Sequence, residues 1–331
     1  MQGSAPGAGA ACEQEALGFS ISPGEYRMEI GDGLKLRIPA TSANIGSGFD
    51  ALGIALTMYN EVAVEESERL EIHSLDGVEV PEGDDNLIYQ SACRLYQECG
   101  KPLPKGFQIS QSNVIPMARG LGSSSACVAA GLMGANYLLG KPLSREELVN
   151  IACTIEGHPD NVTPALLGGL TAAAVENGKV YAVTLHVADK FRFAAFIPDF
   201  ELKTSVARSI LPQTVPRQDA VYNLSRSALM AGSLATGNVE NLRVAVQDKL
   251  HQPYRLGLIP GAEEIFDLSY EYGSFATYIS GAGPTVMSII SRRHEEEFET
   301  EMTQQLAARG LSHWRVVILD VDSRGAHKVS H

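Results

Sequence analysis

The sequence has no long apolar run and few cysteines, and these two absences exclude several classes of protein. No segment approaches the roughly 20 consecutive apolar residues of a membrane-spanning helix, and the first twenty residues lack the basic and apolar regions of a signal peptide. The five cysteines include no CxxC pair and no Cys/His cluster with zinc spacing. Reduced thiols in a cytoplasmic protein without membrane contact are therefore expected.

Positive charge is also scarce. The 39 Asp and Glu residues outnumber the 26 Lys and Arg residues, and the formal net charge is -13. Such a surface repels a phosphate backbone, so nucleic acid is not expected as a partner. A nucleotide is compatible with this charge, because backbone N–H groups, Mg²⁺ and local cations suffice for a phosphate site.

The order of apolar and polar residues predicts mixed strands and helices. Residues 1–25 are rich in Gly, Ala and Ser and are predicted to form a flexible leader, followed by an N-terminal unit over 26–188 and a C-terminal unit over 189–331. Alternation or short apolar runs predict strands at 26–30 and 34–38 (a hairpin), 61–65, 69–74, 107–110, 170–175, 180–185, 192–197, 275–279, 286–290 and 314–319. Helical spacing predicts helices at 86–98, 122–139, 219–232, 239–250, 262–272 and 295–308, and one that Ser144 caps with Glu147 in a capping box. Because no regular βαβ repeat is present, the predicted fold class is α+β.

The strongest local signal is a glycine- and serine-rich loop, Pro116-Met-Ala-Arg-Gly-Leu-Gly-Ser-Ser-Ser-Ala126, which opens an alanine-rich helix. Glycine lets a backbone curl closely around an anion, and the positive end of a helix dipole attracts phosphate. The loop has neither the Gly-Lys-Ser/Thr end of a Walker A motif nor Gly-x-Gly-x-x-Gly spacing. The alternative is a close-packed helix start whose small residues only avoid clashes.

This loop resembles the phosphate loop of the GHMP kinases, a family of small-molecule kinases. Two further segments agree with that family in order and spacing, namely 39–50 (PATSANIGSGFD) and 279–285 (ISGAGPT), and the similarity covers residues 28–322. The resemblance implies a GHMP kinase fold with an N-terminal ribosomal-protein-S5-like domain and a C-terminal ferredoxin-like α/β sandwich domain. It also implies an ATP-dependent kinase that uses Mg²⁺ and acts on an alcohol. Because the family often dimerises, a homodimer is expected.

The resemblance assigns residues to the nucleotide and the metal. The predicted nucleotide contacts in the loop are Pro116, Arg119, Gly120, Leu121, Gly122, Ser123, Ser124, Ser125 and Ala126. Ser124 and Glu156 are predicted to hold Mg²⁺. Arg119 would add positive charge near the transferred phosphate, unless it faces solvent. Asn86 lies in a segment that resembles the one near the adenine, and it equally suits an N-cap of the following helix.

Further segments resemble the branch of the family that phosphorylates L-homoserine. The predicted substrate contacts are Asn44, Asp50, His158, Thr204, Arg208, Arg255 and Gly281. Asn44 and Asp50 also suit a simple turn. The string Glu156-Gly-His-Pro-Asp-Asn-Val-Thr-Pro-Ala165 is placed at a helix end and the loop after it, and has Thr163 where the branch usually has alanine. A planar guanidinium matches an α-carboxylate, which favours an amino-acid alcohol over a sugar.

Phosphoryl transfer requires mainly positioning and charge stabilisation, and Ser124, Glu156 and Asp160 are the predicted catalytic residues. The resemblance implies that O-phospho-L-homoserine and ADP are formed, in threonine biosynthesis. Two routes for the hydroxyl proton stay open, with Asp160 as a base or with no dedicated base. The alternatives for the whole protein are a family member that acts on mevalonate or a related alcohol, one that decarboxylates a diphosphate, and a non-catalytic nucleotide sensor.

Overall fold

A computed structural model describes residues 34–329 of the chain. The predicted leader and the first strand of the predicted hairpin, 26–30, lie outside the described residues. The strands are β1 (Leu34–Ala43), β2 (Leu52–Ser67), β3 (Glu71–Ser74), β4 (Gly106–Ser112), β5 (Leu170–Glu176), β6 (Lys179–Leu185), β7 (Phe191–Pro198), β8 (Ala276–Ile279), β9 (Val286–Ser291), β10 (Trp314–Leu319) and β11 (His327–Lys328). The α-helices are α1 (Leu87–Glu98), α2 (Ser123–Leu138), α3 (Arg145–Glu156), α4 (Pro159–Leu167), α5 (Thr204–Ser209), α6 (Arg217–Thr236), α7 (Leu242–Ala245), α8 (Gln252–Arg255), α9 (Ala262–Glu271) and α10 (Glu295–Ala308).

Two sheets organise the described chain. The first has seven strands, in the order β11-β1-β2-β4-β3, and β5 and β6 extend it from β2. Strand β2 has 16 residues, long enough to pair with β5 through Leu52–Ile54 and with β4 through Glu61–Ser67. The second sheet has four strands in the order β10-β7-β9-β8 and is antiparallel throughout. Only the β3–β4 pair is parallel within the described residues, which confirms the predicted α+β class.

Helix α2 is largely buried, because most of its residues are small or apolar. It packs against β1, β2, α1, α3 and α4. Gly131 and Gly134 allow this close approach, since an added Cβ at Gly131 would lie 2.2 Å from the carbonyl oxygen of Ile88. This packing therefore fixes the position of the first turn of α2 and of the glycine-rich loop before it.

The structure corrects two predictions of local structure. The predicted helix 239–250 is in fact the short α7, followed by a break and α8. The break arises because the Ser47 hydroxyl donates to the carbonyl oxygen of Ala245 (2.8 Å), while the Asp248 carboxylate accepts the N–H groups of His251 and Gln252. Polar side chains thus end one helix and cap the next. Their hydrogen bonds to the backbone compete with those of a continuous helix, and periodicity alone does not reveal this competition.

The predicted loop after Glu156 is also different in the structure, where it forms helix α4. Pro159 takes the first helical position, in which its missing N–H costs nothing, and His158 is the N-cap. Gly157 adopts a left-handed conformation (φ 87°) that ends α3 and lets the chain turn directly into α4. The string from Glu156 to Ala165 is therefore anchored at the junction of two helices.

The end of the chain returns to the first sheet. Strand β11 pairs with β1, and Val321 bridges to Leu56 in β2. The predicted boundary near residue 189 precedes β7 and stays a prediction. The last strand of the predicted C-terminal unit, β11, belongs to the seven-stranded sheet together with strands of the predicted N-terminal unit. In the part of the chain that the structure describes, no helix combines the length and the apolar character required to cross a membrane.

Candidate active site

A cleft of about 360 Å³ lies at the N-terminal end of α2, beside the junction of α3 and α4. It is lined by Asn44, Leu87, Ala118, Arg119, Gly120, Gly122, Ser123, Ser124, Ser125, Ile155, Glu156, His158, Asp160, Asn161, Thr204, Arg208, Arg255, Gly281 and Ala282. Segments separated by more than 200 positions in the chain therefore meet at one cleft. Of the residues predicted for the site, the cleft lining leaves out Asp50, Asn86, Pro116, Leu121 and Ala126.

The glycine loop is shaped to receive an anion. Gly122 caps α2 in the left-handed region (φ 71°), and within the described chain no side chain caps the first-turn N–H groups of that helix. These donors and the dipole of a 16-residue helix point at the cleft. A Cβ on Gly122 would lie 1.9 Å from the Thr41 hydroxyl oxygen, and one on Gly120 would lie 2.4 Å from the Ser280 carbonyl oxygen. Both positions therefore require glycine.

Replacing Gly122 by alanine is expected to raise the KM for ATP at least tenfold. A left-handed conformation costs a residue with a Cβ about 1–2 kcal/mol, and the clash with Thr41 moves the loop in addition. Gly140→Ala is the matched control, because Gly140 is also left-handed (φ 80°) but has no atom within 4 Å of an added Cβ. Steady-state kinetics and urea unfolding of both variants separate the clash from the backbone strain. Equal KM values for ATP in the two variants would contradict the expectation.

Two serines of the loop contact a glutamate of the next helix. Glu156 is the last residue of α3, and its carboxylate accepts hydrogen bonds from the hydroxyl groups of Ser124 (2.5 Å) and Ser125 (3.2 Å). Among the described residues no group of three or more His, Cys, Asp and Glu side chains is placed to hold a metal ion. One carboxylate with a hydroxyl nevertheless fits Mg²⁺, which is usually bound through one or two carboxylates together with substrate phosphates.

Arg119 and Asn86 are held by other parts of the protein. The Arg119 guanidinium donates to the carbonyl oxygens of Met117, Pro198 and Asp199, so it ties the loop to the end of β7. The Asn86 amide oxygen caps α1 by accepting the N–H groups of Ile88 and Tyr89, and its amide nitrogen donates to Pro81. The N-cap alternative for Asn86 is thus the arrangement in the structure, and its neighbour Leu87 lines the cleft instead. Leu121 and Ala126 are buried, which leaves only their backbone for a ligand.

Asn44 and Asp50 frame a tight turn after β1. Both residues have positive φ (68° and 54°), and the Asn44 amide oxygen accepts the N–H of Asp50 (3.0 Å). The Asn44 amide nitrogen donates to the carbonyl oxygen of Gly281 (2.8 Å). The Asp50 carboxylate accepts two hydrogen bonds from the Arg208 guanidinium, at 2.7 and 3.1 Å. Turn chemistry therefore accounts for both residues, and of the two only Asn44 lines the cleft.

Arg255 is a buried cation with no acidic partner among the described residues. Only 1% of its surface is exposed, and no carboxylate of residues 34–329 lies within 4.0 Å of its guanidinium nitrogens. Burial and the nearby Arg208 lower the pKa of Arg255 to about 10, so it remains charged at neutral pH. A buried charge without a partner is costly, which makes this end of the cleft attractive to an anionic group.

His158 and Asp160 form a second pair at the start of α4. The imidazole Nδ1 lies 2.8 Å from a carboxylate oxygen of Asp160, and this hydrogen bond raises the pKa of His158. Asp160 itself is almost fully buried. Asn161 follows it and also lines the cleft, where its amide oxygen accepts the Thr41 hydroxyl (2.8 Å). The sequence predicts no role for Asn161, although the adjacent acidic and histidine residues are a signal for one.

Comparison with known proteins identifies relatives of this chain. The GHMP kinases N terminal domain matches residues 86–169, and the GHMP kinases C terminal domain matches residues 227–308. The homoserine kinase of Caldicellulosiruptor saccharolyticus is 44% identical over 296 residues, which cover 88% of this chain and 96% of that protein. That of Clostridium beijerinckii is 44% identical over 300 residues, which cover 88% and 97%. The crystal structure of homoserine kinase from Cytophaga hutchinsonii superposes with a TM-score of 0.81 at 26% identity, over 92% of this chain and all of that one.

The fold is that of a small-molecule kinase, and the chain belongs to the GHMP kinase family. Family membership confirms the predicted fold and the predicted class of enzyme, an ATP-dependent kinase with an alcohol as acceptor. Within that family the two similar proteins named above are homoserine kinases, as the motifs at 39–50 and 156–165 predicted.

Proposed function

We propose that the protein transfers the γ-phosphate of ATP to the hydroxyl group of L-homoserine, giving O-phospho-L-homoserine and ADP. The observation that carries the proposal is the placement of Arg208 and Arg255 in the same cleft as the glycine loop. One end of the cleft suits phosphate and the other suits the carboxylate of an amino acid. The 44% identity to curated homoserine kinases supports the same substrate.

The nucleotide end of the cleft is proposed to bind the β- and γ-phosphates. The backbone from Gly120 to Ser125 would supply the N–H donors, and Ser124 and Glu156 would hold Mg²⁺. Bound there, Mg²⁺ would neutralise charge on the phosphate oxygens. Leu87 and Ile155 give this end apolar walls. Arg119 contributes indirectly by fixing the loop against β7.

The amino-acid end is proposed to orient homoserine so that its hydroxyl points along the axis of transfer. Arg208 and Arg255 would bind the α-carboxylate, and Asp50 would bind the ammonium group. Asn44 and Gly281 would shape this end, since they are already joined by a hydrogen bond. His158 and Thr204 also line the cleft and would contact the substrate. Such positioning is the main source of rate enhancement in phosphoryl transfer.

We propose that no dedicated base removes the hydroxyl proton, because Asp160 is already paired with His158. Asp160→Asn is then expected to keep kcat within about tenfold of the wild type, since the amide oxygen can still accept from His158. A general base contributes a factor of about 10²–10⁴. A folded Asp160→Asn variant with kcat reduced by 100-fold or more would instead assign the base role to Asp160.

The substrate is tested by following ADP release from Mg-ATP with L-homoserine, mevalonate, galactose and L-threonine. Turnover confined mainly to L-homoserine is expected. Turnover on mevalonate would support kinase activity but would refute the proposed role of the two arginines. ATP binding without turnover on any of the four alcohols would favour the nucleotide sensor.

The wider setting is proposed from the same similarity. The product would enter threonine biosynthesis in the cytoplasm, and the protein would form a homodimer. Sedimentation equilibrium at micromolar concentration tests the assembly, for which a mass of twice 35.4 kDa is expected.

A further inference from the structure

His251 is a fully buried histidine beside the cleft, and the reaction proposed above does not use it. Its Nε2 lies 2.7 Å from the carbonyl oxygen of Gly46, in the turn that carries Asn44 and Asp50. A carbonyl oxygen only accepts hydrogen bonds, so Nε2 carries the proton. Complete burial lowers the pKa of His251, which keeps the ring neutral. Nδ1 therefore has a free lone pair.

That lone pair faces Arg255. The Arg255 Nη1 lies 3.2 Å from Nδ1 of His251 and 2.9 Å from the carbonyl oxygen of Gly281, while Nε lies 3.2 Å from that of Ala207. These three acceptors engage Nε and both hydrogens of Nη1. For Nη2 the structure gives no acceptor among residues 34–329, and Arg255 lines the cleft. The guanidinium is thus fixed through Nε and Nη1, and its Nη2 amino group is available to a ligand.

The local structure explains why these two residues meet. His251 and Arg255 are four positions apart, at the N-cap and the last residue of α8, and this spacing places them on one face. The Asp248 carboxylate accepts the N–H groups of Leu250, His251 and Gln252 and so fixes the turn. The Asp248 carboxylate lies 3.7 Å from Nε2 of His251, too far for a hydrogen bond.

Phe49 completes the support. Its ring stacks on that of His251, with centroids 5.2 Å apart and an angle of 23° between the planes. The guanidinium carbons of Arg208 and Arg255 lie 5.7 and 5.4 Å from the centroid of the same ring. An aromatic face attracts cations, so it helps to keep two like charges close together.

We propose that His251 is a positioning residue, whose neutral Nδ1 holds Arg255 in the orientation that binds the α-carboxylate of the substrate. This inference rests on the proposed homoserine kinase activity. His251 acts through Arg255 and does not touch the substrate. Its removal should therefore impair recognition of the carboxylate and leave the use of ATP unchanged.

The test compares two variants, each of which keeps one of the two hydrogen bonds of the His251 ring. The amide of His251→Asn lies near the position of Nδ1 and can still accept from Arg255, whereas that of His251→Gln lies near Nε2 and can still donate to Gly46. Each enzyme is assayed with L-homoserine and with 3-aminopropan-1-ol, which is homoserine without its carboxylate. Where the analogue is not turned over, its inhibition constant against homoserine replaces kcat/KM. Thermal unfolding verifies that both variants fold.

His251→Gln is expected to raise the KM for homoserine about tenfold, because a hydrogen bond to a charged group contributes about 1.5 kcal/mol or more. In the same variant, the KM for ATP and the kcat/KM or inhibition constant for 3-aminopropan-1-ol should stay within about twofold of the wild type. In His251→Asn, the KM for homoserine should stay within about threefold of the wild type. Equal losses for both acceptors, or no loss in His251→Gln, would overturn the inference and leave the kinase activity intact. A wild-type enzyme inactive on homoserine would refute the proposed function itself, and the inference with it.

Discussion

Replacement of Glu156 by glutamine is expected to reduce kcat by about 100-fold or more. Glutamine has the same size and its amide oxygen can still accept from Ser124, so the local packing is retained. The negative charge that is proposed to hold Mg²⁺ is lost. Removing one group that stabilises transition-state charge commonly costs a factor of about 10²–10³ in kcat.

The matched control for this variant is Glu146→Gln, which makes the same change of charge in the exposed first turn of the same helix. Initial rates across a range of Mg²⁺ concentrations give the measurement, and the Mg²⁺ requirement of Glu156→Gln should rise. The control should behave as the wild type. If Glu156→Gln kept a kcat within threefold and an unchanged Mg²⁺ requirement, the carboxylate would not have the proposed role.

Replacement of Arg255 by lysine is expected to raise the KM for homoserine about 30-fold or more. Lysine keeps the charge but loses the planar fork, so it cannot hold Gly281, Ala207 and a carboxylate together. Impairing one partner of a buried, hydrogen-bonded charge pair costs about 2–5 kcal/mol, and each 1.4 kcal/mol is a factor of ten.

The KM for ATP in the Arg255→Lys variant should change by no more than about threefold, because the glycine loop is untouched. Arg217→Lys, at the exposed start of α6, is the control for an arginine-to-lysine change elsewhere. A KM for homoserine that stayed at the wild-type value would show that the carboxylate binds elsewhere, and would favour an acceptor without an amino-acid group.

The parts of the site that depend on local chain chemistry could be predicted from the sequence. The glycines at 120 and 122 and the serines after them define the phosphate loop, because the left-handed cap and the free first-turn donors depend on neighbouring residues. The Ser144 capping box with Glu147 was predicted for the same reason and is confirmed.

Contacts between distant segments could not be derived in this way. The pairing of Arg208 with Asp50 joins residues 158 positions apart, and the tether of Arg119 to Asp199 spans 80. The break between α7 and α8 depends on a hydroxyl from Ser47, far away in the chain. Burial lowers the pKa of His251 and makes its ring a neutral acceptor, which the local sequence does not reveal. The spacing of residues in the sequence indicates which of them share a face of a helix. Only the packing of the folded chain determines which of them are buried and desolvated.

In the proposed binding mode, the ion pair between Asp50 and Arg208 would make the site selective for the charges that a substrate carries. An amino acid brings one ammonium group and one carboxylate, so it can replace this ion pair by exchange. Its ammonium group would bind Asp50, and its carboxylate would bind Arg208 and Arg255. A hydroxy acid such as mevalonate brings only the anion, and its binding would leave Asp50 without a cation in a partly buried site. A simple amino alcohol brings only the cation, and it would leave two arginines facing each other. The proposed site thus has the charge pattern of a zwitterion, and the proposed substrate carries both signs.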